Sequence, residues 1–403
     1  MRDLTTSNPT RVELDYPPDV MAPLADVRGL VYQPHPLGLE LGRAAVAADY
    51  GRRGLSVAPD RIVLTSSTSE AYSLLFKVLC DPGDEVLVPQ PSYPLFEQLT
   101  RLDAIVAVPY ELEYHGTWQV NLDSLRRGRT SRSKAVVVVS PNNPTGSFVK
   151  AAELSEIEKV AAAHGLAVIV DEVFADYELE PDSASRAGRA LECREALTCS
   201  LGGLSKSIGL PQAKLAWMAL AGPEPVVTDA LTRLEYVADA YLSVSTAVQA
   251  SAGDLLAAGS AIRSAIKQRL ASNVEALKNA VSGVPACRVL HVEGGWSAVF
   301  QVPTLSTEED LVLDLLTRDG ILVHPGYFFD FPRGSFLIVS LLTPCAVFAD
   351  GVGDILARFA SSAPLSVSSI ASALPTLPSS SASPASPAQP VVPARHRDRS
   401  DVP

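Results

Sequence analysis

Ala135-Val136-Val137-Val138-Val139-Ser140-Pro141-Asn142-Asn143-Pro144-Thr145-Gly146 sets an unbroken apolar run directly against a polar turn rich in Pro and Asn. A strand with one face in water alternates apolar and polar side chains. An uninterrupted run therefore predicts a strand covered on both faces, as in a parallel sheet sandwiched between helices. The same grammar recurs outward from it. Residues 61–65, 85–88, 104–108, 166–170 and 215–218 read as further strands, with helical stretches between several of them at 69–79 and 151–164. That alternation predicts an α/β domain with a mostly parallel sheet.

Beyond residue 260 the character changes. A long charged helix over 261–281, strand runs at 288–292, 296–302 and 336–340, and a helix near 308–318 predict a smaller α+β domain. The expected organisation is an N-terminal segment (1–35) packing with the small domain, a large domain (36–260), a small C-terminal domain (261–360) and a tail (361–403). The tail is rich in Ser, Ala and Pro and is uncharged over 361–394, a composition that predicts disorder.

The chain has 403 residues, of which 47% are hydrophobic, enough for a large buried core. A net charge of -12 argues against a nucleic-acid binder, which carries a basic face. No apolar h-region follows Met1 and no apolar run approaches ~18 residues, so neither a signal peptide nor a membrane span is expected. Cys80, Cys193, Cys199, Cys287 and Cys345 show no CxxC spacing, which argues against a zinc site or a disulfide framework and for free thiols in a reducing cytoplasm. No metal site is expected.

Four polar segments interrupt this apolar frame. Pro91-Ser92-Tyr93-Pro94 and Ser140-Pro141-Asn142-Asn143-Pro144-Thr145-Gly146 each follow a strand. Asp171-Glu172 closes another, and Leu201-Gly202-Gly203-Leu204-Ser205-Lys206-Ser207-Ile208-Gly209-Leu210-Pro211 places one lysine in a Gly/Ser-rich loop. Each alone has an ordinary explanation as a turn, a helix cap or a surface charge. Together they matter because ligands in open α/β sheets gather outside the carboxyl ends of the strands.

Taken in order, with Ser66-Ser67-Thr68 before them, these segments resemble class I/II aminotransferases, the pyridoxal-phosphate (PLP) enzymes of fold type I similar to aspartate aminotransferase. The resemblance spans residues 4–359. It implies a large domain with a mostly parallel seven-stranded sheet, a smaller α+β domain, a homodimer, and amino-group transfer between an amino acid and a 2-oxo acid. By the same resemblance Lys206 forms the Schiff base with PLP and carries the proton. Asp171 partners the pyridine nitrogen, Asn143 the ring oxygen, and Tyr93 stacks on the ring. Ser66, Ser67, Thr68, Ser205 and Lys214 would meet the phosphate, and Tyr32, with segment 241–245, would reach into the neighbouring subunit's site.

The pattern is not followed throughout. Ser67 stands where many relatives have Gly, Phe174 replaces a tyrosine, Gly203 replaces a phosphate-binding serine, and Lys214 replaces arginine. Ile338 occupies the place of the arginine that clamps the substrate carboxylate, and Arg333 is offset from it by five residues. Segments 293–297 and 324–330 are candidates for the substrate side. The missing arginine keeps a β-eliminating carbon–sulfur lyase as the alternative on the same scaffold. A ligand sensor fused to a DNA-binding module is disfavoured by the absence of a basic face.

Overall fold

The computed structural model describes residues 1–332 and 334–360. The tail expectation and Arg333 fall outside the described residues. The large sheet contains eight strands: β1 (Ile62–Thr65), β2 (Glu85–Gln90), β3 (Val106–Tyr114), β4 (Trp118–Val120), β5 (Ser133–Val139), β6 (Ala167–Asp171), β7 (Thr198–Gly203) and β8 (Ala216–Ala221). Their spatial order is β1-β8-β7-β6-β5-β2-β3-β4. The block β7-β6-β5-β2-β3 is parallel throughout, while β8 and the short β4 run against their neighbours. Seven strands form the main sheet, and three-residue β4 joins it as a hairpin arm of β3.

The apolar run of β5 is explained by what covers it. Ala135, Val137 and Val139 enter one core cluster with Ala71, Leu74, Leu75 and Phe76 of helix α1 (Thr68–Leu79). Val136 and Val138 enter another with Leu154, Ile157 and Ala161 of helix α2 (Ala151–His164). Burial of each such valine stabilises the fold by about 1.5–3 kcal/mol, so both faces are held and no position is left for a polar residue.

Strand β7 has no counterpart among the sequence expectations. Its Thr-Cys-Ser-Leu-Gly-Gly composition has a single β-branched residue, Thr198, and ends in two glycines, so the strand signal is weak. The glycine is there for space: a Cβ on Gly202 would lie 2.6 Å from Trp217 Nε1 on β8. The lysine segment read as a loop is therefore strand, then a single helical turn, Leu204–Ser207, that carries Lys206.

The C-terminal part holds an antiparallel four-stranded sheet, ordered β9 (Arg288–Val289), β10 (Ser297–Gln301), β12 (Phe336–Ser340), β11 (His324–Pro325). Helices α3 (Ser260–Ser282) and α4 (Cys345–Ala360) pack beside it. The chain start is tied here as well: Arg2 and Asp3 pair in parallel with Ile321 and Leu322, and Leu4 is fully buried. Among the described residues no helix is long and apolar enough to cross a membrane.

Candidate active site

A cavity of about 280 Å³ opens at the carboxyl ends of β5, β6 and β7. Ser67, Thr68, Tyr93, Asn143, Asp171, Ser205 and Lys206 line it, so seven of the expected site residues meet in one place. Tyr72, Phe174, Trp296, Ser297 and Ser7 complete much of the wall. Among the described residues, Asp171 and Lys206 are the only charged ones in its lining.

Turn chemistry delivers Asn143. Its neighbour Asn142 is buried and spends its side chain on structure: Oδ1 accepts from Ser92 Oγ at 2.8 Å, and Nδ2 donates to Pro91 O at 3.1 Å and Thr145 Oγ1 at 2.9 Å. One asparagine thus laces two turns together and leaves the next for the cavity. Gly146 has φ +70°, and a Cβ there would meet Gly294 O at 2.6 Å. Gly146 O accepts from the N–H of Glu293 at 3.1 Å and of Gly294 at 2.8 Å, which steers Trp296 and Ser297 into the wall. Ser297 Oγ then donates to Asn143 Oδ1 at 3.1 Å, which leaves the amide nitrogen of Asn143 as the group available to a ligand.

Asp171 ends β6. Its Oδ1 accepts from the N–H of Val173 at 3.1 Å and its Oδ2 from Tyr72 Oη at 3.0 Å. Burial pushes its carboxyl up to about 6 despite these two bonds, which act in the opposite direction. Burial also lowers the Lys206 amine, opposed by the Asp171 charge. Lys206 Nζ lies 5.1 Å from the ring centre of Trp296 and 5.8 Å from that of Phe174, within reach of cation–π attraction when charged.

The peptide that carries Lys206 is gripped from outside. Tyr177 Oη donates to Lys206 O at 2.5 Å, Arg263 Nε to Ser207 O at 2.8 Å, and Tyr16 Oη to Gly209 O at 2.7 Å. Arg263 is itself 3.6 Å from Asp49 and 3.5 Å from Asp176, in a mostly buried ion network on helix α3.

Three expected residues stand apart from the cavity. Ser66 does not line it: its N–H and Oγ donate to Glu70 Oε2 at 2.6 and 2.9 Å, closing the first turn of α1. Lys214 is exposed, because the chain leaves the turn Pro211–Ala213 in the left-handed region at φ +54° and carries the side chain away. Tyr32 is 73% exposed and borders a separate groove with Tyr241 and Ser243. Of the two substrate-side candidates, segment 293–297 supplies Trp296 and Ser297, whereas segment 324–330 supplies no lining residue.

Ile338 is buried in a small apolar cluster with Trp118, Leu290, Val299 and Phe329, outside the cavity lining. The residue is 2% exposed. Ile338→Arg is therefore expected to lower the unfolding free energy by about 3 kcal/mol or more, through an unpaired buried charge. Urea denaturation reads this directly, and an unchanged midpoint would mean that side chain 338 can reach solvent or an acid.

Tyr72 is a lining residue that the sequence does not single out: it acts through Asp171, and its spacing from Asp171 carries no local signal.

The family described as aminotransferase class I and II matches residues 24–344. The glutamate-pyruvate aminotransferase AlaA of Escherichia coli (strain K12) is 28% identical over 315 residues, covering 75% of this chain and 76% of the relative. Among solved structures, an alanine aminotransferase from Pyrococcus furiosus superposes with a TM-score of 0.79 at 24% identity, covering 89% of this chain and 92% of the other. A tyrosine aminotransferase from Leishmania infantum gives a TM-score of 0.79 at 23% identity, with 89% and 91% covered. Both superpositions establish a fold type I transferase architecture. The chain belongs to the class I and II aminotransferase family, and its activity is that of an aminotransferase.

Proposed function

We propose that the enzyme uses PLP in the cavity at Lys206 to move an amino group between an amino acid and a 2-oxo acid. The observation that carries this reading is geometric: one lysine and one carboxylate, Lys206 and Asp171, share a cavity with Asn143, Tyr93 and the hydroxyls at the start of α1. The residues fit the cofactor piece by piece. Ser67, Thr68, Ser69 and Ser205 bring hydroxyls beside the N-terminus of α1, where N–H groups favour a phosphate. Asp171, half-buried beside Tyr72, Val173 and Phe174, offers a partner to a cationic ring nitrogen, and the amide nitrogen of Asn143 offers a donor to the ring oxygen. Tyr93 supplies an aromatic face. When bound, PLP supplies an aldehyde that condenses with amines and a ring that delocalises the electrons released at the substrate α-carbon.

The chain's own residues do the rest. Lys206 Nζ, beside Trp296 and Phe174, has its charged form disfavoured by burial, which suits it to accept the α-proton and to return it. Asp171 holds the proton on the ring nitrogen. Ser297 orients Asn143. The relatives named for glutamate, pyruvate and alanine make these the first substrates to try, with 2-oxoglutarate as the other acceptor.

A homodimer is part of the proposal. Val27, Leu30, Val31, Tyr32 and Tyr241 are large apolar residues left exposed, a concentration that a second copy would cover. Tyr32 would then serve the partner's site. A cytoplasmic location suits the free cysteines.

The test is spectroscopic. PLP is added to the purified protein, followed by single amino acids and then by 2-oxo acids. Conversion of the cofactor to its amino form by one donor, and its return by an acceptor, supports the proposal. Pyruvate and ammonia released from a cysteine-type substrate without an acceptor would move the assignment to elimination.

A further inference from the structure

Tyr72 is buried in α1, 2% exposed, with its ring held against Phe96 at 5.5 Å and Phe76 at 5.9 Å. Those contacts need only a phenyl group. The hydroxyl adds a polar atom to an apolar site, which costs stability unless it is bonded. Among the described residues its single hydrogen-bond partner is Oδ2 of Asp171, 3.0 Å away. Burial and the neighbouring carboxylate hold the Tyr72 phenol well above its ordinary range, so the group stays protonated and remains a donor.

Asp171 Oδ1 is engaged by a main-chain N–H that any sequence would provide. Oδ2 is engaged by the one side-chain donor to this carboxylate among the described residues. A donor to a carboxylate favours its ionised form and fixes its rotation. Tyr72 belongs to the helix whose N-terminus faces the cavity, so one element places both the proposed phosphate cradle and the support for the carboxyl.

We propose that Tyr72 is the positioning residue of the cofactor site, holding Asp171 oriented and ionised so that it selects a ring bearing an N–H over one that does not. This rests on the assignment of Asp171 to the ring nitrogen. The prediction concerns selectivity of binding and is independent of turnover.

The probes are PLP and its carbocyclic analogue in which C–H replaces the ring nitrogen. Both carry the aldehyde and the phosphate, so their ratio of dissociation constants in one protein isolates the nitrogen contact and cancels any general loosening of the fold. The full chain and its Y72F and D171N variants are titrated with each probe, followed by quenching of tryptophan fluorescence. The expected result is a preference for PLP in the unaltered chain that falls about tenfold in Y72F and is largely lost in D171N. A Y72F preference equal to that of the unaltered chain, with D171N still reducing it, overturns the role of Tyr72 and leaves Asp171 in place. A preference that survives D171N overturns the Asp171 assignment and this inference with it.

Discussion

Lys206→Ala is expected to reduce kcat for amino exchange by about 10³-fold or more, since the same side chain is asked to link the cofactor and to shuttle the α-proton. The geometry makes substitution by another group difficult. Among the described residues Lys206 is the only amine in the cavity lining, and its neighbours Trp296 and Phe174 cannot accept a proton. Folding should be unaffected or slightly improved, because the variant removes an amine whose charged form is disfavoured by burial. Two measurements check this. Single-turnover conversion of the bound cofactor should nearly vanish, while thermal unfolding of the cofactor-free protein stays within a few degrees. Addition of a small primary amine should recover part of the proton transfer. A variant retaining more than a tenth of the activity would remove Lys206 from the mechanism.

The second large effect is at Asp171, where activity and stability should move in opposite directions. Burial raises its carboxyl from 3.8 to about 6. A folded-state value above the unfolded one means that the folded protein binds the proton more tightly. Below the unfolded value both states are protonated and there is no penalty. As pH rises through the window from 3.8 to about 6 the penalty grows, and above it the penalty is fully present. The gap corresponds to about 3 kcal/mol at neutral pH. Asp171→Asn should therefore stabilise the cofactor-free protein at pH 7.5 by up to about that amount, while catalysis falls by about 10²–10³-fold for want of a charge at the ring nitrogen. Paired melting curves at pH 7.5 and 5 provide the check: the advantage of Asn should shrink at the lower pH. Equal melting temperatures at both would mean that Asp171 finds a compensating cation in the apo protein.

The parallel core was legible because burial on both faces forces β-branched runs, and β5, β6 and β2 obey that rule. Strand β7 was not, since close approach to Trp217 required glycine where a strand would ordinarily carry bulk. At the site, the residues on strand ends and turns could be read from motif order. What motif order did not convey was direction. Lys214 follows the lysine turn at the expected spacing, yet a left-handed φ turns it to solvent. Ser66 sits beside Ser67 and Thr68 in sequence, yet Glu70 claims its hydroxyl. Contacts between segments far apart in sequence, such as Ser297 with Asn143, leave no local trace.

The three side chains that grip the lysine peptide all reach main-chain oxygens, those of Lys206, Ser207 and Gly209. A carbonyl is the same whatever residue carries it. The anchorage accordingly asks nothing of the side chains at 207 and 208, which are constrained by their own burial, while Tyr16, Tyr177 and Arg263 supply the grip from distant parts of the chain. Loss of the Tyr16, Tyr177 or Arg263 donor should therefore loosen the turn that carries the amine from a distance, an effect that proximity to Lys206 would not suggest.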